Sequence, residues 1–256
     1  MGLENKGKTV FLTSSPDGSY QVDGEWVTGP FTGKNGFLRR FQEACPKNPR
    51  VLLITATPDE KEKNEEMYGY FTKVFAASKM PVRCLRLLGR STAPQVSSWL
   101  RDSDVVILGG GHVPTQNRFF WELGLEEGIK GFGGVVMGIS AGSMNCAHTV
   151  YAQPELEGEA KDPSYRRFIT GLGLTRQNVL PHYQTVKDYT LDGLRLMEEV
   201  TYPDSIGREF YALEDGSYIL CAGGREVVYG NAYRIADGEI SQVCQDGGWT
   251  ELPPPV

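Results

Sequence analysis

The clearest chemical signal in this sequence is the Gly-Ile-Ser-Ala-Gly motif at residues 138–142. It comes directly after an apolar run at 135–137 and directly before a stretch with a helical pattern. A serine between glycines at a strand-to-helix turn is a nucleophile elbow, because the sharp turn leaves no room for side chains beside the serine. The motif predicts Ser140 as a nucleophile; the alternative is a Gly- and Ser-rich turn without a catalytic role.

A serine nucleophile needs a base, and the chain contains three histidines. His148 lies at the end of the predicted elbow helix, where it would point away from the serine. His112 follows three glycines at a strand end and is expected to line the cleft. His182 follows a short apolar strand and a proline, which predicts a position at the carboxyl edge of the same sheet, where ligands of open α/β sheets bind. Elimination of the other two therefore favours His182 as the general base.

A carboxylate should orient this imidazole, and two neighbouring acids are available. Glu214 and Asp215 both follow the predicted strand at 209–213. Because an acidic residue before glycine is also common turn chemistry, the residues alone leave the choice between them open.

Three glycines at 109–111 follow the predicted strand at 105–108. Glycines at a strand end let backbone N–H groups approach a ligand closely. The amides of Gly111 and Ala141 are therefore expected to hold the negative oxygen of a tetrahedral intermediate. A nucleotide site is rejected, since no G-x-G-x-x-G or P-loop pattern follows the strand.

The elements that would position these residues alternate along the chain. Short apolar runs and longer amphipathic ones predict an α/β fold, with a doubly wound, mostly parallel sheet and helices on both faces. Predicted strands lie at 9–12, 51–54, 82–88, 105–108 and 135–137. One predicted helix begins near Asp59, a second begins near Pro114 and extends through Ile129, and a third carries Leu191, Leu194 and Met197.

The pattern changes after residue 207. Short runs separated by Asp-Gly and Gly-Gly pairs predict antiparallel hairpins that extend the main sheet. We interpret residues 1–256 as a single α/β domain, with a parallel core at 8–207 and an antiparallel β extension at 208–250. The Gly-rich segment 14–35 is predicted to be a long loop, either functional or mobile.

Composition excludes several classes of protein. The 256 residues are 40% hydrophobic and 23% charged, as in globular proteins. A net charge of −6 without a basic cluster argues against nucleic-acid binding. No apolar run is long enough to span a membrane, and the start Met1–Lys6 lacks the apolar core of a secretory signal. Five well-separated cysteines predict reduced thiols in a cytoplasmic protein.

Four segments together resemble the peptidase E family. They read Val-Ile-Leu-Gly-Gly-Gly at 106–111, Gly-Ile-Ser-Ala-Gly at 138–142, Leu-Pro-His-Tyr at 180–183 and Ala-Leu-Glu-Asp-Gly-Ser-Tyr-Ile-Leu at 212–220. The family comprises serine peptidases of the S51 type, including aspartyl dipeptidase and cyanophycinase. The resemblance implies a class I glutamine amidotransferase-like fold, which is a flavodoxin-like three-layer sandwich.

The resemblance also implies roles for individual residues. It places the nucleophile on Ser140, the histidine on His182 and the acid on Asp215, with Glu214 where the dipeptidases have proline. The oxyanion amides fall on Gly111 and Ala141, and no metal or organic cofactor is implied. Neighbouring residues expected to line the substrate cleft are Gly110, His112 and Tyr183.

Two departures from the family bear on the substrate. The usual Gly-Gly-Gly-Asn turn ends here in His112. The arginine that holds the substrate aspartate in aspartyl dipeptidases aligns near Leu191, with Lys187 or Arg195 as substitutes. The specificity is therefore left open.

The leading hypothesis is a serine peptidase or amidohydrolase that cleaves a small peptide through an acyl-enzyme. One alternative is a glutaminase-like member of the fold, although that chemistry normally uses cysteine and the nearest thiol is Cys146. Another is a binding protein without turnover. The expected partner is the peptide alone, without nucleic acid or membrane, and a homodimer is an open alternative to a monomer.

Overall fold

The computed structural model describes residues 7–253, so Met1–Lys6 and the end of the proline-rich tail lie outside the described part. The strands are β1 (Thr9–Thr13), β2 (Tyr20–Val22), β3 (Glu25–Val27), β4 (Arg50–Ile54), β5 (Cys84–Leu88), β6 (Val105–Leu108), β7 (Val135–Ile139), β8 (Thr149–Tyr151), β9 (Phe168–Thr170), β10 (Asn178–Leu180), β11 (Thr190–Leu191), β12 (Leu194–Arg195), β13 (Glu209–Leu213), β14 (Tyr218–Ala222), β15 (Arg225–Tyr229), β16 (Ala232–Ala236), β17 (Glu239–Cys244) and β18 (Trp249–Glu251). The α-helices are α1 (Phe37–Ala44), α2 (Lys61–Ala77), α3 (Val96–Arg101), α4 (Val113–Glu122), α5 (Leu125–Gly131), α6 (Ala141–Met144), α7 (Tyr183–Val186) and α8 (Tyr202–Asp204). Within residues 7–253, no helix is long and apolar enough to cross a bilayer.

The main sheet has eight strands in the order β18-β15-β14-β1-β7-β6-β4-β5. Its centre is parallel, from β1 through β7, β6 and β4 to β5. The strands β14, β15 and β18 extend it in antiparallel pairing beyond β1. The predicted α/β class, with a mostly parallel sheet and antiparallel strands from the C-terminal part, is confirmed.

Both faces of this sheet are covered. Alternate residues of the central strands point to opposite sides: Val10 and Leu12 pack in the cluster that includes residues of α4 and α5, whereas Phe11 packs with α1 and α2. Burial on both faces requires apolar side chains at successive positions. This explains why β6 reads as an uninterrupted apolar run, with all four residues buried.

The C-terminal strands divide between two sheets, and not all of them join the main sheet as predicted. β13, β16 and β17 combine with β10 in a separate four-stranded sheet, in which β10 and β13 are parallel. This sheet has its own small core, where the ring of Phe210 stacks on that of Tyr151 with a centroid distance of 4.3 Å. Packing against residues before position 207 therefore removes half of the extension from the main sheet.

The predicted helix through Leu191, Leu194 and Met197 is wrong for its first part. Asp192 and Gly193 adopt φ values of 55° and 80° and form the two-residue turn of the hairpin β11–β12. The Asp192 carboxylate also accepts the backbone N–H groups of Gly158 and Ala160. Helical structure begins only at Leu196, as a π-helical turn over Leu196–Thr201.

Two other segments differ from the predictions in detail. The helix predicted from Pro114 is broken at Gly124, which has a φ of 61°, and this produces α4 and α5. The segment 14–35 contains the hairpin β2–β3 and returns to the core at Phe31, whose ring lies 5.3 Å from those of Phe41 and Phe75.

Candidate active site

Ser140 lies at the turn between β7 and α6, and its backbone has φ 51° and ψ −115°, a conformation that residues other than glycine rarely adopt. Its N–H donates to the carbonyl of Thr13 at the end of β1, at 3.0 Å. A Cβ on Gly138 would lie 2.6 Å from the Cα of Ser143, and one on Gly142 would lie 2.2 Å from the Leu108 carbonyl oxygen. The flanking glycines are therefore required sterically, as expected for an elbow, although its helix α6 has only four residues.

The imidazole of His182 lies between Ser140 and Asp215. Its Nε2 is 3.0 Å from the Ser140 hydroxyl oxygen, and its Nδ1 is 2.7 Å from Asp215 Oδ1. Because an ionised carboxylate only accepts hydrogen bonds, Nδ1 carries the proton and Nε2 is left to accept from the serine. In the neutral imidazole this tautomer is the one that a general base requires.

The sequence predicted His182 at the carboxyl edge of the main sheet, and this prediction is wrong. It follows β10, which belongs to the second sheet, whereas Ser140 follows β7 in the main sheet. The two residues meet because Ser14, which directly follows β1, binds both the backbone N–H of His182 after β10 and the carboxylate of Asp215 after β13. A left-handed backbone at His182, with φ 57°, turns the imidazole toward the serine.

The Asp215 carboxylate accepts two hydrogen bonds besides that from His182. The hydroxyl of Ser14 donates to Oδ1 and the side-chain amide of Gln184 donates to Oδ2, both at 2.7 Å. Burial disfavours the charged carboxylate, but the hydrogen bonds from His182, Ser14 and Gln184 outweigh it and hold the pKa of Asp215 below its usual value. The group is thus an ionised acceptor.

Glu214 points elsewhere. Its carboxylate accepts hydrogen bonds from the Asn231 side-chain amide at 2.8 Å and from the Tyr233 hydroxyl at 3.2 Å. Tyr233 lies in β16 of the second sheet, and Asn231 lies in the turn that joins β15 of the main sheet to β16. Of the two acids that the sequence left open, the structure brings Asp215 and not Glu214 to the imidazole.

Sequence reasoning missed Ser14 and Gln184. Ser14 is fully buried directly after β1, and its hydroxyl also accepts the backbone N–H of His182 at 2.8 Å. Gln184 accepts the backbone N–H of Asp215 at 3.1 Å. The available signal for Ser14 was its place at the end of a strand that is a parallel neighbour of the elbow strand.

The glycine loop after β6 lies beside the elbow. A Cβ on Gly110 would be 3.3 Å from the Cβ of Ser140, and one on Gly111, where φ is 150°, would be 2.7 Å from the Cβ of Ala56. Within residues 7–253 the Gly111 amide donates no hydrogen bond. Ala141 is the first residue of α6, where amides have no acceptor within the helix. Both amides are thus available to a ligand.

The remaining predicted cleft residues have other partners. His112 uses both ring nitrogens, on Thr115 and Glu159. The ring of Tyr183 packs on that of Tyr233 at 4.7 Å. The third histidine, His148, is exposed beyond the end of α6.

Glu155 was not anticipated from the sequence. It keeps an exposed surface, yet partial burial and the negative charge of Glu159 raise the pKa of Glu155 to about 7, and the nearby His182 acts in the opposite direction.

The chain belongs to a known family. The model of peptidase family S51 matches residues 31–228, a range that includes Ser140, His182 and Asp215. The resemblance to peptidase E predicted from four short segments is confirmed, and the family is one of serine-type peptidases.

Solved structures show the same fold at low identity. The crystal structure of a peptidase from an acI-B1 actinobacterium matches with a TM-score of 0.68 and 15% identity, over 97% of this chain and 98% of that one. A putative peptidase E protein from Listeria monocytogenes EGD-e matches with a TM-score of 0.59 and 17% identity, over 87% and 98% of the two chains. No curated protein matches the chain.

Proposed function

We propose that this protein is a serine peptidase or amidohydrolase of the peptidase E type that cleaves small peptides, as a dipeptidase does. The observation that carries the proposal is the chain of contacts from the Ser140 hydroxyl through both nitrogens of His182 to the Asp215 carboxylate. Nucleophile, base and orienting acid in this order are the arrangement used for acyl transfer.

In the proposed reaction, His182 Nε2 accepts the hydroxyl proton while Ser140 Oγ attacks the carbonyl carbon of the peptide bond. The amides of Gly111 and Ala141 hold the negative oxygen of the tetrahedral intermediate. His182 then gives the proton to the leaving amine as the C–N bond breaks, which leaves an ester on Ser140. Water, deprotonated by the same imidazole, hydrolyses that ester and releases the acid product.

Asp215 remains ionised throughout this sequence. Its negative charge stabilises the imidazolium that forms when His182 accepts the proton, and its hydrogen bond keeps the ring oriented. The two further donors, Ser14 and Gln184, keep the carboxylate from rotating out of this position.

The proposal assigns no arginine to the substrate. Leu191, at the family's arginine position, is buried. Arg195 pairs with Glu198 at 3.5 Å and with Glu199 at 3.9 Å on its own segment. The proposed activity therefore leaves the side chain preferred in the substrate open, with Lys187 as the remaining cation near the family's arginine position.

The glutaminase alternative has little support, because the nearest thiol is poorly suited to attack. Cys146 is fully buried, and burial raises the pKa of its thiol to about 12. Only a thiolate is an effective nucleophile. The alternative of a binding protein without turnover is disfavoured by the 3.0 Å contact between Ser140 and His182.

The proposal is tested with a fluorophosphonate probe that phosphonylates activated serines. We expect covalent labelling of the wild type, loss of labelling in Ser140→Ala, and full labelling in Ser241→Ala, which changes an exposed serine of β17. Labelling that persists in Ser140→Ala would remove Ser140 from its role. A peptide-library screen, read by mass spectrometry, then identifies the peptide that is cleaved fastest.

A cytoplasmic location and a homodimer are further proposals. The five cysteines are all free thiols, which suits a reducing compartment. Light scattering of the purified chain measures its oligomeric state.

A further inference from the structure

His112 directly follows Gly111 and caps the start of α4. Its Nδ1 lies 2.8 Å from the Thr115 hydroxyl oxygen, and its Nε2 lies 2.8 Å from Glu159 Oε1. Since the carboxylate only accepts, Nε2 carries a proton, and Nδ1 meets a hydroxyl that can donate or accept. Both nitrogens are occupied, so this imidazole serves as a structural link.

Glu159 connects this imidazole to a second segment. Its other oxygen, Oε2, accepts the backbone N–H groups of Glu155 at 2.9 Å and of Leu156 at 3.0 Å. One carboxylate therefore joins the turn at 155–159 to the residue that ends the glycine loop. The turn therefore lies beside the glycine loop, because Glu159 contacts His112 through Oε1 and the turn's own backbone through Oε2.

The glycine loop needs such an attachment. Both backbone groups of its first residue are hydrogen-bonded, since the Gly109 N–H donates to the Ile54 carbonyl and the Gly109 carbonyl accepts from the Gln116 side-chain amide. Gly110 and Gly111 have no side chains to restrict them, and glycine has more backbone freedom than any other residue. The next side chain along the chain that can anchor the loop is that of His112.

We propose that His112 and Glu159 are positioning residues that hold the Gly111 amide in the direction required for oxyanion binding. This inference rests on the proposed function. It goes beyond that function by assigning a purpose to the histidine that ends the Gly-Gly-Gly-His turn. In this arrangement, the anchored turn at 155–159 and the oxyanion loop form one unit at the edge of the cleft.

The inference is tested with four variants. His112→Ala removes the link, and His112→Gln keeps a side-chain N–H group at the place of Nε2. Glu159→Gln removes the charge and one acceptor. Glu157→Gln is the matched control, because it changes an exposed acid in the same turn. For each we measure the fluorophosphonate rate constant, kcat and KM for the best library peptide, and the melting temperature.

Losing a whole oxyanion donor lowers kcat by about 10²–10³-fold, so a misaligned donor is expected to lower it by about tenfold to a hundredfold. We expect this loss in His112→Ala and Glu159→Gln, with KM close to that of the wild type. His112→Gln should recover most of the rate, and Glu157→Gln should match the wild type. The loss falls on kcat because the amide interacts more strongly with the oxyanion than with the carbonyl of the bound peptide.

Three results would overturn the inference: rates in His112→Ala and Glu159→Gln equal to the wild type, a loss confined to KM, or an equal loss in Glu157→Gln. If His112→Ala does not fold, the comparison of His112→Gln with Glu159→Gln still decides, since only the second should be slow. The proposed function fails separately, by the absence of Ser140 labelling in the wild type.

Discussion

Two histidine–carboxylate pairs flank the cleft, and they differ in which ring nitrogen meets the acid. In His182–Asp215 it is Nδ1, and Nε2 faces a hydroxyl; in His112–Glu159 it is Nε2, and Nδ1 is taken by Thr115. The side chains of the first pair are 37% and 42% exposed, and those of the second 20% and 16%. We infer that similar distances serve different purposes: the more exposed ring retains a nitrogen for proton transfer, whereas the less exposed ring holds backbone in place.

The largest contrast should come from deleting the two imidazoles. We expect His182→Ala to lower kcat by about 10⁴–10⁶-fold, as when a triad member is removed, because among the described residues only the His182 side chain is hydrogen-bonded to the Ser140 hydroxyl. His112→Ala should lose far less. Both are measured as kcat on the best library peptide. Equal losses of kcat in the two variants would contradict the assignment of His182 as the base and of His112 as a positioning residue.

Exchanging the acid of the first pair should have the next largest effect. In Asp215→Asn the amide can donate to Nδ1, which favours the wrong tautomer of His182, and such a change lowers kcat by about 10⁴-fold. The control is Glu214→Gln, whose carboxylate contacts Asn231 and Tyr233. We expect its kcat to stay near that of the wild type. A severe loss of kcat in Glu214→Gln would argue for the neighbouring acid.

Ser14 distinguishes the first pair from the second, because its buried hydroxyl contacts both members of the pair. Ser14→Ala removes a hydrogen bond to a charged group, so we expect kcat to fall about tenfold. The pKa of Asp215, followed by NMR of its carboxyl carbon, should rise. Ser15→Ala is the control, since its hydroxyl contacts the backbone of Asp17. An unchanged Asp215 pKa in Ser14→Ala would contradict this assignment.

The smallest effect concerns stability in acid. Because the folded-state pKa of Asp215 is lowered, its carboxylate stabilises the fold above the unfolded-state value of about 3.9, and this contribution is lost as the pH falls through the folded-state pKa. The difference in free energy of unfolding between the wild type and Asp215→Asn should therefore be present at neutral pH. It should narrow below about pH 4. Denaturant titrations at several pH values measure the free energy of unfolding of both proteins. A difference that does not change with pH would show that ionisation of Asp215 does not stabilise the fold.

The sequence could identify those site residues and strands in which sterics or burial restrict the amino-acid types of neighbouring positions. The elbow at 138–142 was readable because sterics require its glycines, and β6 because a strand buried on both faces must be apolar throughout. Ser14 could not be found in this way, since its role depends on contacts with residues more than 160 positions away. The second sheet was missed because β10 has only three residues and pairs with β13 across a long separation. Asp192-Gly193 did carry a hairpin signal, but the apolar spacing around it suggested a helix.

The segment that carries Asp215 is also the bridge by which the chain leaves the second sheet, at Leu213, and enters the main sheet, at Tyr218. Ser140 thus follows a strand of the main sheet, His182 follows a strand of the second sheet, and Asp215 lies in the connection between the two sheets. Local unfolding of the second sheet would separate Ser140, His182 and Asp215 while the main sheet stayed intact. Activity should accordingly be lost at a lower denaturant concentration than most of the helical circular dichroism signal.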